Sequence, residues 1–184
     1  STPTFQGRPS QMLIRDAPQF QIIRGNYTWA EATADAAARG GRLAVLDTQD
    51  KIDAATTLVT QLDTEGEEGN FLIGLRRSDN DNNFYWNTGE ALGAQNWGQG
   101  QPNDKISGED AVVISSIWFY DVKWHDVPST ESYNYLLEIL LDTDGDGLLD
   151  SVETNTGIYV SPSDTGTHPN NADTDGDGID DGDE

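Results

Sequence analysis

Two stretches in the last third of the chain obey one twelve-residue rule. The first reads Asp142-Thr143-Asp144-Gly145-Asp146-Gly147-Leu148-Leu149-Asp150-Ser151-Val152-Glu153. The second reads Asp173-Thr174-Asp175-Gly176-Asp177-Gly178-Ile179-Asp180-Asp181-Gly182-Asp183-Glu184. Both match D-x-[DN]-x-[DN]-G-x5-E, with side-chain oxygens at positions 1, 3, 5, 9 and 12 and a glycine at 6 for the sharp turn. The backbone carbonyl at position 7, of Leu148 or Ile179, completes the set. Calcium takes six to eight hard oxygen ligands, and a loop that folds back on itself gathers them from few residues. A run of carboxylates ordinarily marks a disordered acidic tail. Keeping one register twice through five ligand positions favours calcium over that alternative.

The chain has 184 residues, enough for one domain of ordinary size and an appendage. Of its 33 acids, 13 fall in residues 142–184, where there is no Lys or Arg. Without metal such a segment repels itself, so its folding and calcium binding are expected to be one event. The 10 Lys and Arg form no cluster of the kind that phosphate contacts require, which argues against nucleic acid. With no cysteine, neither disulfides nor a thiolate metal site hold the fold. No apolar stretch approaches the roughly 20 residues of a membrane span, and residues 1–10 do not read as a signal peptide. The expectation is a piece of a larger, exported multidomain protein.

Residues 1–18 read as a linker or edge segment, and residues 19–24 as a strand ending at Gly25-Asn26. Thr28-Trp29-Ala30-Glu31 is a capping box that opens an Ala-rich helix running to Gly40-Gly41. A second helix is predicted over residues 48–62, with Ile52, Ala55 and Leu58 or Val59 at core spacing. Short strands are predicted at 71–75, 83–86, 111–115, 118–124 and 133–141. Residues 88–107 form a long loop rich in glycine and proline, and a loop of that length is either functional or a sign that its elements are misassigned. Helices first and antiparallel strands after make the class α+β.

Several short motifs then occur in a telling order: Gly40-Gly41-Arg42-Leu43-Ala44, Leu72-Ile73-Gly74-Leu75, Asn96-Trp97, Gln101-Pro102-Asn103-Asp104, Gly108-Glu109-Asp110 and Trp124-His125-Asp126. Together they resemble the C-type lectin-like domain, over residues 19–141. The resemblance implies two helices, antiparallel strands and a long loop that holds a calcium ion, whose open coordination positions take two sugar hydroxyls. It implies metal ligation by Gln101, Asn103, Glu109 and Asp126, sugar contact by these and His125, and a cis bond before Pro102. Trp97 or Lys105 could add contact at the rim.

Two departures stand out. The family pairs one acid with one amide in its tripeptide, whereas Gln101 and Asn103 are both amides, so neither mannose-type nor galactose-type specificity transfers. His125 replaces an Asn, and imidazole is a poor ligand for a hard cation. A further calcium position of some relatives needs an acid where Arg77 stands. The family's disulfide positions fall on Ala36 with Leu137 and on Ala111 with Ser129, so packing or calcium has to replace the bridges. Trp118, Phe119 and Tyr120 are either an exposed contact patch or an inward-facing strand.

The paired loops lack the flanking helices of ordinary helix–loop–helix units and are similar to thrombospondin type 3 repeats, less closely to dockerin repeats. Leu148, Leu149 and Val152 could form one helical turn. The first functional expectation is a calcium-dependent carbohydrate-binding module of a secreted or cell-surface adhesin-like protein. The alternative is a lectin-like adhesion scaffold that binds a cell-surface protein and has no sugar site. Catalysis is disfavoured: His125 and His168 lie in separate regions, and nothing spaces the carboxylates for hydrolysis.

Overall fold

The structure is a computed structural model that describes residues 20–64, 69–79, 82–89, 91–105, 108–117, 121–150, 152–162 and 164–184. The linker expected at 1–18 and the aromatic run 118–120 lie outside them. The chain divides into two compact units, Pro18–Leu141 and a second that contains Asp142–Glu184.

The first unit runs β1 (Phe20–Tyr27), α1 (Trp29–Ala38), β2 (Gly41–Leu43), α2 (Gln49–Thr64), β3 (Asn70–Arg77), β4 (Phe84–Trp86), β5 (Ala111–Ser115), β6 (Lys123–Val127) and β7 (Tyr133–Ile139). Helix α1 starts where its capping box places it. The Glu31 backbone N–H donates to Thr28 Oγ1, and the Thr28 N–H donates back to Glu31 Oε2 at 2.9 Å. The Ala-rich stretch, with Ala32 and Ala36 fully buried, lets the helix lie close against its neighbours.

The sheet has the order β1-β7-β3-β5-β6, with β2 added on β7 and β4 on β3. The expected purely antiparallel arrangement is corrected here: β3 and β7 run parallel, Phe71 opposite Asn134 and Leu72 opposite Tyr135. A parallel pair needs a long crossover, and 55 residues separate the two strands, so no hairpin signal announces it. Strand β2 was not foreseen either. Its three residues are too few to show alternation and are held by pairing with β7 from Gly41↔Ile139 to Leu43↔Leu137.

Two hydrophobic clusters flank the sheet. One gathers Ile52, Ala55 and Val59 of α2 with Phe71, Ile73, Trp86, Ile114 and Trp124. The other joins Ala32 and Ala36 of α1 to Leu72, Ala111, Val113, Tyr135 and Leu137. Three of the four bridge positions, Ala36, Leu137 and Ala111, are thus core contacts. The fourth, Ser129, donates from its N–H and its Oγ to the carboxylate of Asp110, both at 3.0 Å. Burial and hydrogen bonds stand where a covalent link would be.

The described residues of the second unit are its two loops and the chain between them. Thr165 N–H donates to Val152 O, Asn155 N–H to Thr167 O and Gly157 N–H to Gly166 O, which folds the linking segment into a hairpin-like return. The helical turn expected after Leu148 is reduced to a single Val152 N–H to Leu149 O bond. A 3-10 turn closes the chain at Asp181–Asp183.

Candidate functional site

The long loop is pinned to the edge strand β6 by main-chain bonds. Trp124 N–H donates to Asn96 O, Gly98 N–H to Trp124 O, and Gln101 N–H to Gly98 O. Trp97 packs edge-on against Trp124, with ring centroids 5.7 Å apart, and against Phe84 at 5.1 Å. Its indole therefore anchors the loop to the core. Gly98 lies on His125 so closely that an added Cβ would stand 2.8 Å from the imidazole Cε1. A side chain there would push the loop off the strand.

That anchoring puts Gln101, Asn103, Glu109, His125 and Asp126 on one cavity of about 520 Å³, together with Lys105 and Tyr133. The Gln101–Pro102 bond is cis. The side chain of Asp126 is fully buried and acts as the hub of the loop. It accepts from Asn103 N–H at 3.0 Å, from Asp104 N–H at 2.9 Å and from Arg77 Nη2 at 2.8 Å. Lys105 N–H donates to both Asn103 Oδ1, at 2.8 Å, and Glu109 Oε2, at 2.7 Å. Asp104, at φ 44°, accepts from Gly108 and Glu109 N–H and so ties the far side of the loop back.

His125 is 3 % exposed, so its ring is buried at the cavity and does not face solvent. Burial lowers its pKa, against the opposing field of Asp126, so the ring lines the cavity as neutral imidazole. Tyr133 was missed by sequence reasoning because it opens a strand and reads as core. Its hydroxyl donates to Glu131 Oε2 at 2.7 Å, and burial, then that bond, raise its pKa. Arg77 was noted only as an obstacle to a further metal. In the fold it lies over the Phe84 ring at 4.8 Å and supplies Asp126 with a counter-charge.

The donor set of this cavity fits a hard cation in kind, since Gln101, Asn103, Glu109 and Asp126 all offer oxygen. Gln101 Oε1 is buried and accepts no hydrogen bond, as a ligand in waiting would. Charge is the weaker part of the fit, because Arg77 already offsets one of only two carboxylates.

The tail fits calcium more fully. Its loops share a hydrogen-bond pattern: Gly145 N–H donates to Asp142 Oδ1 and Gly176 N–H to Asp173 Oδ1, both at 2.7 Å. Gly147 and Gly178 bond the other oxygen of the same aspartates, at φ of 99° and 97° that favour glycine. Asp142, Asp144 and Asp146 bring ligand oxygens within 4.8 Å of one another, as do Asp173, Asp175 and Asp177. In the first loop both oxygens of Asp144, Oδ2 of Asp146 and Oε2 of Glu153 are buried without a hydrogen-bond donor. Burial, aided by Asp144, Asp146 and Asp150, pushes the Glu153 carboxyl up to about 7 despite its bond from Thr167. Burial likewise raises Asp146. Glu184 is raised by desolvation and then by Asp175 and Asp177, which puts it beside the second loop's carboxylates. Asp150 and Asp181 each accept from the N–H and Oγ1 of the threonine at position 2, so position 9 braces its loop.

Comparison with known proteins agrees with this architecture. The family model described as "Lectin C-type domain" matches residues 25–137. The mouse low affinity immunoglobulin epsilon Fc receptor is 28% identical over 106 residues, 58% of this chain, which spans only 30% of that receptor's length. Human lithostathine superposes with TM-score 0.56 at 21% identity, covering 65% of this chain and 89% of its own. The cow CD23 carbohydrate-recognition domain, solved in the presence of GlcNAc2Man3 oligosaccharide, gives 0.55 at 24%, covering 66% and 87%. The C-type lectin domain of murine dendritic cell inhibitory receptor 2, solved with an N-glycan, gives 0.54 at 21%, covering 65% and 88%. This chain belongs to the C-type lectin domain family.

Proposed function

We propose that the lectin domain is a calcium-dependent carbohydrate-binding module and that the tail is a calcium-stiffened spacer similar to thrombospondin type 3 repeats. The observation that carries the reading is the convergence of Gln101, Asn103, Glu109, His125 and Asp126 on one cavity. Calcium would be held by Gln101, Asn103, Glu109 and Asp126 and would supply a Lewis-acidic centre for vicinal hydroxyls. The two amides would also hydrogen-bond those hydroxyls, and Tyr133 offers an apolar ring for a sugar face to rest on. In the tail, Asp142, Asp144, Asp146, Leu148 O and Glu153 would hold one ion, and Asp173, Asp175, Asp177, Ile179 O and Glu184 another. Two relatives solved with glycans support the ligand class. Receptor relatives and the acidic tail support a secreted or cell-surface adhesin-like parent with further domains. Among the described residues no helix is long and apolar enough to cross a membrane.

The test is a glycan array probed with the full chain in millimolar calcium, in EDTA, and as Asn103→Ala. Calcium-dependent hits lost in Asn103→Ala, with the thermal transition unchanged, are the expected result. Hits that persist in that variant would sink the assignment. The Arg77–Asp126 ion pair favours one second reading, a protein-binding scaffold without a sugar site. A blank array beside saturable binding to a cell-surface protein would select it.

A further inference from the structure

The two tail loops are near-copies, yet their position-9 aspartates have different surroundings. Asp150 and Asp181 brace the threonine of their own loop in the same way. Among the described residues only Asp181 joins a carboxylate cluster beyond its loop: it meets Asp146 and Glu153 of the first, with ligand oxygens within 4.8 Å of one another. The chain between the loops brings this about. Thr167, which follows the return at Gly157–Gly166, donates from Oγ1 to Glu153 Oε1 at 3.1 Å, and His168 N–H reaches Thr174 Oγ1 at 2.9 Å. Gly182 then lies directly on the Asp146 carbonyl and the Gly147 Cα, where no Cβ fits.

We propose that Asp146, Glu153 and Asp181 form one divalent-cation site shared between the loops, so that the first loop is completed only when the second is docked on it. The proposal rests on the calcium reading of the tail and deepens it. Glu153 is 2 % exposed, and its Oε2, like Oδ2 of Asp146, is buried with no donor. Two carboxylates that each carry an orphaned oxygen therefore meet a third carboxylate from another segment. Like charges packed this closely repel strongly, and a hard cation is the partner that removes the repulsion while satisfying the orphaned atoms. A pair of loops wired this way stiffens as a unit, because the ion of the first needs the second in place.

The test uses the full ¹⁵N-labelled chain, stripped with chelator and titrated with calcium chloride. The amides of Gly147 and Gly178, at position 6 of each loop, report the two loops separately. Losing even an outer partner of a metal ligand weakens binding about 10–100-fold, so Asp181→Asn should raise the Gly147 midpoint at least about tenfold. Gly182→Ala, which alters no ligand, should also raise the Gly147 midpoint by forcing the segments apart. A Gly147 midpoint unchanged in both variants, with only Gly178 responding, overturns the shared site. If neither glycine of the wild-type chain responds to calcium, the calcium reading of the tail falls and this site with it.

Discussion

The lectin cavity and the tail loops gather the same kinds of oxygen by opposite means. In the cavity the scaffold comes first: Trp97 and Trp124 anchor the loop, and main-chain N–H groups and Arg77 satisfy Asp126. In the first tail loop carboxylates face one another with orphaned oxygens, and no Lys or Arg occurs in the segment. On the proposed reading, a site whose central carboxylate is already satisfied would need the metal for its ligand. On the same reading, a site made of mutual repulsion would need it in order to fold.

Calcium removal should show this contrast most strongly. In EDTA, hydrogen exchange is expected to deprotect Gly147, Gly178 and the residue 155–166 return almost completely, while Leu72 and Val113 keep their protection. Parallel loss in both units would break the comparison. Next in size, Trp124→Ala removes a fully buried indole from the core and should cost about 3–5 kcal/mol in urea denaturation. The tail's calcium titration should not change. A shifted tail midpoint would mean that the units are coupled.

Arg77→Met comes third. It leaves the buried Asp126 carboxylate without its counter-charge, at a cost of about 3 kcal/mol, the low end for a broken buried pair because two N–H donors remain. Millimolar calcium should restore more thermal stability to this variant than it adds to the wild type, since an ion then takes over the charge. Equal calcium increments in both proteins would remove the cavity from the list of cation sites. The smallest effect is expected for Ser129→Ala, which loses one hydroxyl bond to Asp110 and should cost about 1 kcal/mol. Because packing and hydrogen bonds replace the bridge there, that cost should be the same in calcium and in EDTA.

Much of the framework was legible along the chain because its signals are local. A capping box needs only residues 28–31, strand β5 opens on the apolar run Ala111-Val112-Val113-Ile114, and each tail loop carries its ligand register within twelve residues. The cavity residues were legible through a family resemblance, not through spacing, since Gln101 and Asp126 come from different segments. Tyr133 escaped because a strand-opening aromatic looks the same whether it lines a cavity or fills a core.

By itself the sequence determined both helices and most of the strands, since capping and alternation act over a few neighbours. The tertiary structure alone decided the parallel β3–β7 pairing, the ion pair of Arg77 with Asp126 and the meeting of Asp181 with Asp146 and Glu153. Each joins groups far apart in the chain. Their energy depends on burial and on neighbouring charge, and those exist only once the segments have packed.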